Sequence, residues 1–270
     1  LNVIDFCWRF QYNSVEGDDK MLTPERHRII MELLKEKGVV KIQELVHETA
    51  SSEATIRRDL SHLESENLLK RVHGGAALLQ GKGMEFSLGE KSTKQLREKK
   101  QIAELAVTLI QEGDCIYLDA GSTTYEMIPL LVDKKVTVVT NGLMHLESLY
   151  EYDIQAYVVG GKIKGLTKAL IGSQAVRGLQ DYRFDKCFLG TNGIHEELGY
   201  TTPDPEEASI KKMALHLSEK SYVVADRSKW NKVSFVQFAA IDEAALVIDQ
   251  LEPEEERSLN NKTKVIKVVT

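Results

Sequence analysis

Two sets of residues in this chain have the types and spacing that hold phosphate. In the first, Ser52 stands where a hydroxyl caps a helix, and Thr55, Arg57 and Arg58 occupy that helix's opening turns. Lys70, Arg71, His73 and Gly74 follow after a short gap. Guanidinium groups offer paired donors to a phosphate or a guanine edge, and an ammonium offers a point charge. The second set recurs along the rest of the chain: Asp119, Gly121, Ser122, Thr123 and Thr124; Thr140 and Asn141; Gly160 and Gly161; and Gly190, Thr191, Asn192 and Gly193. Glycine admits close approach of a ligand to backbone, hydroxyls donate, and helix amides face an anion. Glu207 and Lys211 stand at i,i+4, and Lys229 follows Asp226 as a counter-charge for a phosphate, with Trp230 beside it. Each of these has a plainer account. The Asp119 stretch also reads as a strand-to-helix turn that needs Gly and Ser for space, and it is not a GxxxxGK[ST] loop. Glu207 and Lys211 read equally as a surface ion pair worth a few tenths of a kcal/mol. His73 either touches a phosphate or packs the turn.

The elements around the first set are those of a winged helix-turn-helix. Thr23-Pro24 opens a helix, with threonine as its cap, and Ile29, Ile30, Leu33 and Leu34 form its apolar stripe up to Gly38. Residues 39–42 are a short extended piece, residues 43–49 a second helix, and Ala50-Ser51 the turn before the third. That third helix puts Ile56, Leu60 and Leu63 on one face and Ala54, Arg58 and Ser61 on the other, with Thr55 and Arg57 at its flanks. Residues 68–78 read as strand, glycine turn and return strand, a wing in which Lys70 and Arg71 grip backbone. An isolated RRD triplet would be a solvated surface helix; the two helices before it and the wing after it favour a groove-reading one.

Composition limits the partners. The net charge is −6 and the pI near 5.7, and residues 21–80 hold nine Lys/Arg against nine Asp/Glu. DNA binding therefore rests on where charges sit, not on a basic balance. Cys7, Cys115 and Cys187 form neither a disulfide framework nor a CxxC metal pattern, which suits a reducing cytosol. Cys115 and Cys187 fall in apolar strands, where packing is the ordinary role. No apolar run approaches the roughly 20 residues of a membrane helix, and Asp5 and Arg9 interrupt any secretory pattern. Residues 1–20 lack a sustained period and read either as a leader ahead of a true start at Met21 or as a disordered arm.

The larger part of the chain alternates strand-like and helix-like runs. Candidate strands are 115–119, 136–140, 154–159, 186–189, 222–225, 245–248 and 265–269; candidate helices are 102–111, 123–131, 143–150, 205–217 and 252–260. This alternation predicts an α/β fold with a mainly parallel sheet covered on both faces. Ligands in such folds bind at strand carboxyl ends, which is where the second set of residues falls. The expected organisation is a DNA-binding domain at 21–78, a polar linker at 79–100 and an effector domain at 101–270. There is no GxGxxG with a downstream acid, which counts against NAD.

Thr55-Ile56-Arg57-Arg58-Asp59-Leu60 with Lys70-Arg71-Val72-His73-Gly74-Gly75-Ala76 resembles the signature of DeoR-family bacterial transcriptional regulators, and the likeness covers nearly all of residues 21–270. The resemblance implies a repressor of carbohydrate-use genes, a homodimer or homotetramer on double-stranded operator DNA, with a phosphorylated sugar as inducer and no cofactor. It implies an effector domain like that of ribose-phosphate isomerases, with family motifs at Asp119, Gly121 to Thr124, Thr140-Asn141, Gly160-Gly161, Gly172, Gly190 to Gly193, Glu207 with Lys211, and Asp226 with Lys229. The usual Gly-Thr-Thr stands here as Gly-Ser-Thr-Thr, which keeps a hydroxyl. Residues 189–193 and 201–208 look most like the fructose-operon repressor branch, suggesting fructose 1-phosphate. Two rivals stand beside this. One is a sugar-phosphate isomerase or deaminase with a DNA-binding module, using Glu207 and Lys211 for proton transfer; the lack of any histidine in the candidate loops apart from His195 counts against it. The other is an architectural DNA-binding protein without a ligand.

Overall fold

The structure is a computed structural model that describes residues 21–66, 68–72, 74–78 and 87–268. The expected leader, His73, residues 79–86 of the expected linker and the end of the last candidate strand lie outside the described residues. The chain divides into two compact units after Leu79.

The first unit contains helices α1 (Thr23–Lys37), α2 (Ile42–Thr49) and α3 (Glu53–Ser65) with strands β1 (Val39–Lys41), β2 (Leu69–Val72) and β3 (Gly75–Leu78). The strands form an antiparallel sheet in the order β1-β3-β2. Ile30, Leu34, Leu45, Ile56, Leu60 and Leu69 are fully buried and make one core. Thr23 is not the cap expected of it: Leu22 precedes the helix, and the Thr23 hydroxyl accepts a hydrogen bond from Arg26 Nη2 at 3.1 Å. Gly38 ends α1 at φ 74°. Gly75 is dictated by strand approach, since a Cβ there would lie 2.1 Å from the Val40 carbonyl oxygen. The inner face of α3 also carries a buried carboxylate. Asp59 accepts from Arg26 Nε at 2.5 Å and Nη2 at 3.1 Å, and from His27 Nε2 at 3.2 Å. Burial acts to raise the Asp59 pKa, but the bonds from Arg26 and His27 outweigh it and hold the carboxyl below its ordinary range.

The second unit is built on a parallel sheet of β4 (Cys115–Leu118), β5 (Thr137–Thr140), β6 (Ala156–Val158), β9 (Phe184–Gly190), β12 (Ser218–Ala225), β14 (Ala245–Ile248) and β15 (Val265–Lys267). Their order is β15-β14-β12-β9-β4-β5-β6. The chain runs outward from β4 through β5 to β6, then crosses back to β9 on the other side of β4 and continues to β15. The order therefore reverses at the β4–β9 pair, the place where such sheets leave a crevice at their carboxyl ends. Alternate residues feed two cores. Tyr117, Val139, Leu189 and Val223 pack on the face covered by α8 (Ser173–Leu179) and α9 (Pro205–His216). Ile116, Leu118, Phe188 and Val224 pack on the face covered by α5 (Leu96–Thr108) and α7 (His145–Glu151).

The α/β class is as the alternation predicts, and the short antiparallel pieces are additions to it. β7 (Lys162–Lys164) and β8 (Ala169–Ile171) form a hairpin, and β10 (Gly193–His195), β11 (Gly199–Thr202) and β13 (Val236–Ala239) form a separate sheet. The run expected as one helix at 123–131 divides into α6 (Ser122–Tyr125) and a 3₁₀ stretch at Ile128–Lys134. Residues 88–100, read as a junction, hold α4 (Leu88–Thr93) and the start of α5. α10 (Pro253–Asn260) precedes β15. Cys187 is buried as expected, but Cys115, the first residue of β4, is exposed, while the three residues after it are buried.

Candidate functional site

The first candidate surface is the outer face of α3 with the wing. Ser52 Oγ accepts the Thr55 N–H at 3.2 Å and lies 2.9 Å from the Thr55 hydroxyl, so both hydroxyls serve the helix start. Arg57 donates through Nε and Nη2 to Glu53 Oε1 at 2.9 and 2.6 Å on the exposed surface. Arg58 and Lys70 are exposed and make no ion pair among the described residues. Arg71 Nη1 donates to Ser61 Oγ at 2.7 Å and the Arg71 N–H to Glu64 Oε1 at 2.8 Å, which ties β2 alongside α3. Gly74 makes the wing turn at φ 79°. Arg57, Arg58, Lys70 and Arg71 thus belong to one connected helix-and-strand surface.

The second candidate site lies at the β4–β9 crevice. Lys211, on α9, contacts Asp119 Oδ2 through Nζ and donates to the Gly190 carbonyl at 2.9 Å; the Gly190 N–H donates back to Asp119 Oδ2 at 3.0 Å. Asp119 and Lys211 are buried, so this closed arrangement fixes a carboxylate and an ammonium where β4 and β9 part. Glu207, one turn earlier on α9, does not pair with Lys211. It accepts from Thr167 Oγ1 at 2.7 Å and Lys164 Nζ at 3.2 Å, and Thr202 Oγ1 lies 3.4 Å from it. The surface i,i+4 pair is therefore corrected: both side chains are buried and each has partners from other elements. Burial tends to raise the Glu207 pKa, yet Lys211, Thr167 and Lys164 keep it below the ordinary carboxylate range.

The neighbouring loops have fixed internal bonds. Asn141 Oδ1 accepts from the Tyr117 hydroxyl and the Ala120 N–H, both at 2.9 Å, so the ends of β4 and β5 are locked together. The Thr124 hydroxyl donates to the Asp119 carbonyl at 2.6 Å and accepts the Gly121 N–H at 3.1 Å, shaping the turn into α6. Ser122 is half-buried and Thr123 buried, and neither hydroxyl has a protein partner among the described residues. Thr140 Oγ1 lies 2.7 Å from the Leu118 carbonyl oxygen and 2.9 Å from His145 Nδ1. A histidine does therefore sit among these loops. His145, the first residue of α7, lies under them with Nε2 3.4 Å from the Gly121 carbonyl oxygen. Burial drives its pKa down to about 4, against the Gly121 carbonyl and Asp119, so the ring is neutral near pH 7. Gly142 leaves room for it, since a Cβ there would lie 2.8 Å from Nδ1.

Other residues of the second set are placed differently. Thr191 bonds the Gly193 and Thr201 carbonyls at 2.9 and 3.0 Å, and Asn192 Oδ1 lies 3.4 Å from Thr202 Oγ1. A Cβ on Gly193 would lie 2.4 Å from the Lys232 carbonyl oxygen, and one on Gly161 would lie 2.6 Å from that of Ile171. Close backbone packing accounts for these two glycines. Gly160 is exposed, with nothing within 4 Å of a Cβ. No hydrogen bond among the described residues joins Gly160 or Gly161 to the Asp119–Lys211 arrangement.

Lys229 closes a 3₁₀ turn after β12, next to buried Asp226. Burial lowers its pKa, and Asp226 opposes this while Lys232 and Lys94 add to it. Trp230 packs against the core and donates to Glu255 Oε1 at 2.8 Å. Lys164 and Thr167, which bond Glu207, and His145, which lies beside Thr140 and Gly121, were not singled out in the sequence. Lys164 and Thr167 lie in a hairpin too short to show a period, and His145 opens a helix whose spacing gives no hint of its partners. Among the described residues no cluster of His, Cys, Asp or Glu has the form of a metal site, and no helix is long and apolar enough to cross a membrane.

Residues 26–82 match the DeoR-like helix-turn-helix domain, and residues 94–250 match the DeoR C terminal sensor domain. The chain is 49% identical over 250 residues to the HTH-type transcriptional regulator FruR of Bacillus subtilis (strain 168), covering 92% of this chain and 99% of that one. It is 33% identical over 244 residues to a lactose phosphotransferase system repressor of Staphylococcus epidermidis, covering 88% and 96%. Among solved structures, ribose 5 phosphate isomerase A from Neisseria gonorrhoeae is similar over 51% of this chain and 54% of that one, with 23% identity and a TM-score of 0.38.

Proposed function

The chain belongs to the DeoR family of transcriptional regulators, and on that premise we propose that it represses sugar-use genes and loosens its hold on the operator when a phosphorylated sugar enters the β4–β9 crevice. The observation that carries the ligand half is the buried Asp119–Lys211–Gly190 arrangement at the point of strand-order reversal, with Glu207 beside it on α9. Carboxylate oxygens accept sugar hydroxyls, and hydroxyls without protein partners donate to an ester phosphate. Asp119 and Glu207 take the first role. Ser122 and Thr123 take the second, with Lys229 supplying positive charge. Gly121, Thr124, Thr140, Asn141 and Gly190 shape the floor. Thr191, Asn192 and Gly193 hold the β9–β10 turn, and Gly160 borders the rim.

On the DNA side, α3 enters the major groove. Arg57 and Arg58 reach bases or phosphates, Thr55 flanks them, and Lys70 and Arg71 grip backbone from the wing beside His73 and Gly74. Arg57 exchanges Glu53 for DNA on binding. A second copy supplies the second half-site, in a homodimer or homotetramer in the cytoplasm. The relatives matched over most of their length carry regulators' names, which favours a regulator over an enzyme.

Thermal unfolding of the full chain with fructose 1-phosphate, fructose 6-phosphate and glucose 6-phosphate tests the ligand class. Fructose 1-phosphate is expected to stabilise most. Uniform absence of stabilisation would leave the ligand half without support, and turnover in aldose–ketose assays would replace regulation with catalysis.

A further inference from the structure

The two edges of the parallel sheet differ in what they offer another chain. At one edge β15 reads Val265-Ile266-Lys267, with Lys262 and Lys264 before it, and Lys267 contacts Glu256 of α10. Lysine on an outer strand discourages pairing with a further strand. The other edge is β6, the last strand in the order. Residues 154–161, which contain it, hold no charge and no proline, and β6 pairs with β5 in an unbroken register. Ala156, Tyr157 and Val158 are all exposed. Tyr150 and Tyr152 before the strand and Ile163 after it are exposed apolar side chains as well.

The bonds to β5 fix the direction of the backbone. The Gln155 carbonyl accepts the Val138 N–H at 2.9 Å, and the Val159 N–H donates to the Thr140 carbonyl at 3.0 Å. Gln155, Tyr157 and Val159 therefore turn their backbone groups toward β5. Ala156 and Val158 turn theirs outward, where no strand among the described residues receives them.

Charge divides along the same stretch. Residues 143–155 carry Glu147, Glu151 and Asp153 and no Lys or Arg; residues 156–172 carry Lys162, Lys164 and Lys168 and no Asp or Glu. Glu147, Glu151, Asp153 and Lys168 are exposed and make no ion pair among the described residues. The chain enters β6 acidic and leaves it basic. A parallel copy would set like charges side by side. An antiparallel copy sets the acidic end of each against the basic end of the other, twice, which is the self-complementarity a two-fold interface needs.

We propose that β6 joins two copies of this chain: their β6 strands pair antiparallel about a two-fold axis at Tyr157 and merge the two parallel sheets into one. In this register Ala156 and Val158 exchange N–H···O=C bonds with the partner's Val158 and the partner's Ala156. The two Tyr157 residues stand opposite each other as a non-hydrogen-bonded pair, with Cα atoms about 4.5 Å apart. Each Tyr157 ring has its centroid 5.9 Å from that of Tyr182, so aromatic surface meets at the axis. The inference rests on the reading that a second copy supplies the second half-site, and it names the surface that brings the copies together.

Sedimentation equilibrium on the full chain tests this. The wild-type chain is expected to form a dimer or a dimer of dimers at micromolar concentration. Tyr157→Lys sets two ammonium groups together at the axis and should weaken that association roughly tenfold or more, with circular dichroism unchanged. In a Cys115→Ser background, Tyr157→Cys should form an intermolecular disulfide on mild oxidation, located by peptide mapping, because the opposed positions have the Cα spacing of a disulfide. Ala156→Cys should not, because each copy's residue 156 stands two positions from its counterpart. An assembly that Tyr157→Lys leaves unchanged overturns the β6 pairing alone and leaves paired copies standing. A disulfide formed equally well by Ala156→Cys also overturns it. A monomeric wild-type chain removes the paired reading and the β6 pairing together. The two cysteine variants decide the matter if Tyr157→Lys does not fold.

Discussion

Asp59 shows how one residue serves both packing and placement. It shares the inner face of α3 with Ile56, Leu60 and Leu63, and Arg26 of α1 meets it inside the core. Removing one partner of a buried pair leaves the other charge uncompensated, at a cost of about 3–5 kcal/mol. Asp59→Ala should destabilise the first unit by that order, read as faster exchange of α1 and α3 amides; a loss below about 1 kcal/mol would mean that Arg26 finds another partner. An acidic residue at the helical spacing of an apolar stripe is visible in the sequence. Its partner is not, because Arg26 stands 33 positions away. His145 follows the same logic. Its folded pKa of about 4 lies below the ordinary 6.5, so between these values the unfolded chain binds a proton that the folded chain does not. Stability from this group is therefore complete above pH 6.5 and falls as pH drops toward 4, by about 3 kcal/mol at full extent. Urea midpoints at pH 7, 6 and 5 should decline, and His145→Gln should flatten the decline. Glu207 and Asp59, with lowered pKa values, lose their contribution as pH falls further, through their own folded pKa values.

Among the elements, glycines separate packing from ligand approach. Gly161 has φ 140° and a Cβ on it would strike the Ile171 carbonyl, and a Cβ on Gly193 would strike that of Lys232. Gly161→Ala and Gly193→Ala should each destabilise the second unit by about 1–3 kcal/mol in chemical denaturation. Gly160→Ala should leave stability unchanged, because its Cβ would enter open space. If the rim needs a bare backbone there, that variant alone should bind fructose 1-phosphate more weakly at wild-type stability. On α3 and the wing, Arg58→Ala should cost about 1–3 kcal/mol of operator affinity and relax specificity, while Lys70→Ala should weaken all DNA alike and reduce the salt slope by about one. The main elements were legible in the sequence for a physical reason: the central parallel strands are continuous apolar runs, and α1 and α3 show a clear helical period. β7, β10 and β11 are no shorter than β6 and β15 of the parallel sheet, but Lys162-Ile163-Lys164, Gly193-Ile194-His195 and Gly199-Tyr200-Thr201-Thr202 mix glycine and polar residues and present no apolar run. Lys164 and Thr167, which reach Glu207 from the β7–β8 hairpin, were hidden with them.

At the scale of the whole molecule, charge and coupling set the terms. A net charge of −6 repels a polyanion at long range, so on the proposed reading operator binding rests on the few cations of α3 and the wing, and the salt slope is expected to be correspondingly modest. With little nonspecific attraction to overcome, the proposed release would require only a small coupling free energy between the units. If fructose 1-phosphate weakens operator binding by a factor of about 10–100, the coupling free energy is about 1.4–2.7 kcal/mol, and saturating operator DNA must weaken fructose 1-phosphate binding by the same factor. Operator titrations with and without the sugar phosphate give one side of the cycle, and calorimetry of the sugar phosphate on free and operator-bound protein gives the other. Equal factors are expected. Tight binding of the sugar phosphate with a factor of one on both sides would show that occupancy of the crevice does not reach the DNA-binding unit, and the second unit would then be a binding module without regulatory effect on the first.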